Sequence, residues 1–181
     1  GRLFSEFLQM LVCALHPATL RGQPDPDNER AYLAAVARLD PDTVRKFPKL
    51  VGILMEAAAT NEYPDILGEF FMEHVTHGRN GQFFTPQPIC DMMAAIQGSG
   101  ISGKSIADPA AGSGRMLLSF AKANPANTFY AADNSRDCAL MCCINMFLNG
   151  LRGEVACMNS ISLDWYAGWA IHGPVFGVLP I

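Results

Sequence analysis

No run of apolar residues in this chain reaches the roughly 18 needed to cross a bilayer, although half of its 181 residues are apolar. No signal-peptide pattern opens it, so a membrane partner is not expected and a cytoplasmic setting is. Its six cysteines (Cys13, Cys90, Cys138, Cys142, Cys143, Cys157) contain no C-x-x-C pair, which argues against a zinc ribbon or a dithiol redox site. Most of them fall among apolar residues of predicted helices, where buried, reduced thiols are expected. Basic charge is also scarce. The chain has 13 Lys+Arg against 17 Asp+Glu. Neither part compensates: residues 1–80 carry 8 against 11, and residues 81–181 carry 5 against 6. Free-standing nucleic-acid binders rely on a basic stripe, and this chain has none. It has no Ser-His-Asp or Cys-His constellation, internal repeat or low-complexity tract.

What is present is a glycine turn. Asp108-Pro-Ala-Ala-Gly-Ser-Gly114 lies between an apolar run at 104–107 and a helical pattern that starts at Arg115. A strand, a glycine-rich turn and a helix start bring a small ligand to the carboxyl edge of a sheet. Gly112 and Gly114 let the backbone turn sharply and a ligand approach closely. Ser113 is expected to cap the helix, whose first N–H groups can meet an anionic group. A dinucleotide fingerprint requires a third glycine where Leu117 stands, so NAD is disfavoured. An acid at the strand end, before the glycines, is instead how S-adenosylmethionine loops look. Asp133, about 20 residues on, ends a second apolar run and suits ribose hydroxyls in either cofactor class.

Along the chain, helical spacing is read at 3–15, with Phe4, Phe7, Leu8, Leu11 and Leu15 on one face. Further helices are read at about 28–38, 42–59, 65–76 and 88–97, with a Gly/Pro loop over 21–28. From residue 98 the period changes. Strand-like runs at 104–107, 128–132, 154–158 and 175–179 alternate with helices at 114–123 and 135–148, the signature of a parallel doubly wound sheet. The expected fold is α/β, with a helical N-terminal region (1–80) and a partial Rossmann-like sheet (81–181). Trp165, Tyr166 and Trp169 are read as covering the sheet edge. Glu69, Glu73, His74 and His77 recur at helical spacing and read as a solvated face, so no metal is assigned. Cys138, Cys142 and Cys143 read as core.

Gly81-Gln-Phe-Phe-Thr-Pro86, Asp108-Pro-Ala-Ala-Gly-Ser-Gly114 and Asn145-Met-Phe-Leu-Asn-Gly150 follow one another with suitable gaps. Together they make the chain resemble the N6-adenine DNA methyltransferases, specifically the modification subunits of type I restriction systems, over about residues 60 to 170. The resemblance implies an S-adenosylmethionine-dependent methyltransferase fold acting on adenine in DNA. It implies cofactor contacts at Phe84, Thr85, Pro86, Asp108, Ala110, Gly112, Gly114 and Asp133, with weaker candidates at Asn159 and Ser160. It implies a specificity or restriction subunit as partner, through which an acidic chain would engage DNA. The family's Asn-Pro-Pro-Tyr/Phe, which polarises the target amine and stacks on a flipped base, has no counterpart here. The single Asn-Pro is Asn124-Pro125, so the catalytic residues stay unassigned. Two alternatives remain: a non-catalytic cofactor-binding or accessory module, and a methyltransferase with a substrate other than DNA.

Overall fold

In the computed structural model, every residue is described except 21, 23, 24, 61, 77–83, 99, 101 and 174–176; for 19, 20, 76 and 98 only the backbone is described. Helix α1 (Arg2–Ala14) forms where the spacing predicts it and buries Phe4, Leu8, Leu11 and Val12. A short α2 (Pro17–Leu20) precedes α3 (Pro26–Val36). The Asp25 side chain caps α3 by accepting from the N–H groups of Asp27 and Asn28, and Pro26 costs no helical bond at that position. The 20-residue α4 (Pro41–Thr60) buries only Leu54. Helix α5 (Ile66–Phe70) continues as a π-helical turn over Phe71–Thr76. Its first residue, Phe71, meets the rings of Phe4 and Phe84.

Helix α6 (Gln87–Gly98) leads into the sheet. The elements β1 (Ser105–Asp108), α7 (Arg115–Ala123), β2 (Thr128–Asp133), α8 (Arg136–Leu148), β3 (Arg152–Asn159), β4 (Asp164–His172) and β5 (Val178–Pro180) then follow. The five strands lie in the order β1-β2-β3-β4-β5. The βαβ expectation holds for the first three, which are parallel. It fails beyond β3. Strand β4 returns antiparallel beside β3, and β5 pairs antiparallel with β4, so the sheet is mixed. The run Asp164-Trp-Tyr-Ala-Gly-Trp-Ala-Ile-His172, whose aromatics were expected beside the sheet, is itself a strand, and the four residues between β3 and β4 are too few for a parallel crossover. Of the strand expected at 175–179, residues 175 and 176 lie outside the described residues, Gly177 precedes β5, and Val178 and Leu179 lie in β5.

Helix α8 positions the site. Its residues from Cys138 to Phe147 are all buried, because α1 packs on one side of it and β2, β3 and β4 on the other. A helix covered all round has no amphipathic stripe. Phe129 and Ala131 of β2, Val155 and Cys157 of β3, and Trp169 and Ile171 of β4 face it and join a core cluster that extends from Phe4 to Val178. All six cysteines are buried and unbridged, as expected.

Candidate functional site

Asp108 and Asp133 end neighbouring parallel strands, so the register brings two carboxylates to one edge of the sheet. The turn after β1 then folds back across β2. The Ala111 N–H donates to the Ala132 carbonyl at 2.9 Å. The Gly112 N–H donates to Asp133 Oδ2 at 2.9 Å, and Asp133 Oδ1 accepts from the Ser135 N–H at 2.8 Å. Asp108 Oδ1 accepts from the Ala110 N–H at 3.0 Å. Gly112 has φ +56° and Gly114 φ +87°, the left-handed region that costs other residues about 1–2 kcal/mol. Space is short as well: a Cβ on Gly112 would lie 2.8 Å from the Phe84 ring, and one on Gly114 2.8 Å from Cys142 Sγ.

The segment Phe84–Pro86 therefore meets the glycine turn directly. Phe84 packs over Gly112 and stacks on Phe71, with ring centroids 5.8 Å apart. The Thr85 carbonyl accepts from Arg115 Nη1 at 3.4 Å, and the Pro86 carbonyl accepts the first α6 hydrogen bonds. Gly81 to Phe83 of the same motif, and His77 of the carboxylate–histidine row, lie outside the described residues. The third motif closes the arrangement from α8, where Asn145 Nδ2 donates to the Ser113 carbonyl at 2.9 Å.

Ser113 behaves otherwise than its sequence position suggests. Gly114 is the N-cap of α7, with no side-chain cap. Ser113 is buried, and its Oγ donates to Asp65 Oδ2 at 2.7 Å. Sequence reasoning missed Asp65 as part of the site. It caps α5 through the Gly68 N–H, and it also accepts from Arg115 Nε and Asn145 Nδ2, each at 2.7 Å. An aspartate after Pro64 announces a helix start; nothing local announces partners 48 to 80 residues away.

The β3–β4 hairpin borders the same edge. Ser160 Oγ donates to the Pro109 carbonyl at 2.6 Å, tying the tip to the glycine turn. Asn159 Oδ1 accepts from the N–H groups of Ile161 and Ser162, so its side chain shapes that tip. Trp165 and Tyr166 are exposed, whereas Trp169 is buried with the Arg136 guanidinium 5.6 Å from its ring centroid.

The thiols beneath the site are inert. Burial holds Cys142 well above its ordinary pKa, and the carboxylates of Asp108, Asp65 and Asp133 push it the same way. Burial first, then Asp133, pushes Cys138 up to about 12. A thiol so held is no nucleophile at neutral pH.

Three separate segments, Phe84–Pro86, Asp108–Gly114 and Asn145, thus converge on one turn. The family model described as N-6 DNA Methylase matches residues 62–167, more than half of the chain. The chain belongs to the N-6 DNA methylase family. The stretch matched to the N-6 DNA methylases contains Asp65, the glycine turn, Asp133, Asn145 and the β3–β4 hairpin tip. No curated protein and no solved structure is significantly similar to the chain. Among the described residues no helix is long and apolar enough to cross a membrane.

Proposed function

We propose that this chain is the S-adenosylmethionine-binding part of a DNA adenine-N6 methyltransferase of the type I modification-subunit kind. Residues 1–80 would form a helical base and residues 81–181 a Rossmann-like cofactor core. The observation that carries the reading is the convergence on Gly112, where Phe84 packs on the turn and Asp133 accepts its N–H.

The residues present suit such a cofactor. A carboxylate accepts about four hydrogen bonds, so Asp133, after serving Gly112 and Ser135, retains lone pairs for the two ribose hydroxyls. The first turn of α7 offers N–H groups to the methionine carboxylate, and Asp108 offers negative charge to the ammonium. Phe84, Thr85, Pro86 and Ala110 line the approach to the turn, and Asn159 and Ser160 border the side where the nucleobase would lie. When bound, the cofactor supplies an activated methyl group for transfer to an exocyclic amine. Such a transfer depends on proximity and alignment and uses no protein nucleophile, consistent with the inert thiols below.

The target side is less complete in this chain. Asn124-Pro125 follows α7 and precedes β2, at the opposite end of the strands from the glycine turn. Asn124 Oδ1 there accepts from the Ala126 N–H. It cannot hold a base at the cofactor edge. This observation favours a second reading, a cofactor-binding or accessory module that does not catalyse alone. In both readings the chain works in the cytoplasm, and a partner subunit supplies DNA contact, because net charge −4 gives the chain little attraction for a duplex.

Transfer of tritiated methyl to unmethylated genomic DNA tests this function. The isolated chain should give no incorporation, with or without a specificity subunit that supplies DNA contact alone. Incorporation by the isolated chain would contradict the division of labour. Incorporation into protein in place of DNA would overturn the substrate assignment.

A further inference from the structure

Asp65 is the most deeply buried carboxylate among the described residues, with its side chain 1 % exposed. Four donors point at it: Gly68 N–H and Asn145 Nδ2 at Oδ1, and Ser113 Oγ and Arg115 Nε at Oδ2. They come from α5, α8, the glycine turn and the first residue of α7. Four donors satisfy a carboxylate fully, and an amide of the same shape would turn two acceptor positions into donors. The site is therefore built for the ionised acid, with Arg115 as its counter-charge.

A turn containing two left-handed glycines has the greatest conformational freedom of any short segment. Its single conformation must be imposed by its surroundings. Asp133 holds Gly112, Asn145 holds the Ser113 carbonyl, and Asp65 holds Ser113 and Arg115 on either side of Gly114. We propose that Asp65 is the positioning residue of the glycine turn: through Ser113 and Arg115 it couples the helical region to the cofactor edge and sets cofactor affinity without touching the ligand. The affinity half of this inference rests on the function proposed above; the positioning half does not.

Asp65→Asn keeps the size of the side chain and removes its charge. Amide hydrogen exchange of residues 111–116 in the ligand-free variant should speed up by about tenfold or more, the factor expected when a charge-assisted hydrogen bond is lost. Exchange in the paired stretch of β2 and β3 should stay at the parent rate. Calorimetry with S-adenosylhomocysteine, at a temperature where circular dichroism shows native protein, should give affinity lowered by a similar factor. In the Asp65→Asn/Ser113→Ala double variant the loss should be smaller than the sum of the two single losses, because both act on one contact. A merely structural role would give a lower Tm with affinity unchanged. That is the pattern expected of Asp91→Asn, a control whose carboxylate bonds Ser119 and Gln87 away from the turn. Should Asp65→Asn not fold, Ser113→Ala removes one of the four bonds and is read the same way. Parent-like exchange in the turn, or additive losses, would overturn the inference. A parent chain that bound no S-adenosylhomocysteine would overturn the cofactor reading, and the exchange rates would still decide the positioning role.

Discussion

The two sides of the candidate site are built in opposite ways. On the glycine-turn side, Ser113, Asn145 and Asp65 are buried, and each has a named hydrogen-bond partner. On the hairpin side, Ile161 is 95 % exposed and Leu163 72 % exposed, and the tip is held by one side-chain bond to Pro109 and by its own Asn159 turn. The turn side is pre-organised, so ligand binding there costs little ordering entropy. The tip has little packing to hold it and must order around whatever it meets. The ribose and methionine contacts should therefore carry most of the cofactor affinity, and the nucleobase contacts less.

The largest way to break this contrast is Gly112→Val. A β-branched side chain at φ +56°, facing the Phe84 ring, combines backbone strain with overpacking. We expect a loss of roughly 2–5 kcal/mol in folding stability, read as a shift in urea midpoint, and no measurable cofactor binding. Asp133→Ala comes next. It removes the proposed ribose acceptor and strands the Gly112 N–H, and it should weaken S-adenosylhomocysteine binding by about 1.5–3 kcal/mol. Affinity equal to the parent's would show that the acid serves the turn alone.

Alkaline pH probes the packing beneath the turn side. Below pH 9 both native and unfolded chains keep their thiol protons, so the stabilisation from the buried thiols is fully present there. Above the ordinary value of 9.0 the unfolded chain loses its Cys138 proton, while the native thiol keeps it up to about pH 12. Stability should therefore fall by about 1.4 kcal/mol per pH unit for each such thiol across that window. Urea midpoints of the parent should decline more steeply above pH 9 than those of Cys138→Ala; equal slopes would contradict the assignment. The smallest effect belongs to the hairpin. Ile161→Ser should change stability by less than about 0.5 kcal/mol and affinity by less than Asp133→Ala does, and a larger affinity loss than Asp133→Ala would reverse the ranking of the two sides.

The same contrast governs what the sequence discloses. Helix α1, strands β1 to β3 and the glycine turn are legible because local pattern alone produces them, either a 3.6-residue stripe or an apolar run, ended by an acid in β1 and β2. Strand β4 is not: Gly168 and three aromatics obscure its alternation, and its antiparallel return depends on a four-residue connection, not on any helix period. The π-helical turn over Phe71–Thr76 follows a smooth helical pattern and gives no local sign. Asp65 reads only as the start of a helix, which it caps, and its second role arises only when partners distant in sequence fold against it. Ser113 fails for the same reason, since a buried carboxylate takes the hydroxyl that would otherwise cap α7.

In the proposed function, Phe84–Pro86, Asp108–Gly114 and Asp133 form a cradle for S-adenosylmethionine. Calorimetric titration of the folded chain with S-adenosylmethionine and with S-adenosylhomocysteine tests it most directly. Saturable binding of both ligands at one site is expected, abolished by Gly112→Val and weakened by Asp133→Ala. No heat from either ligand at about millimolar concentration, where even a weak site of about −4 kcal/mol fills, would contradict it.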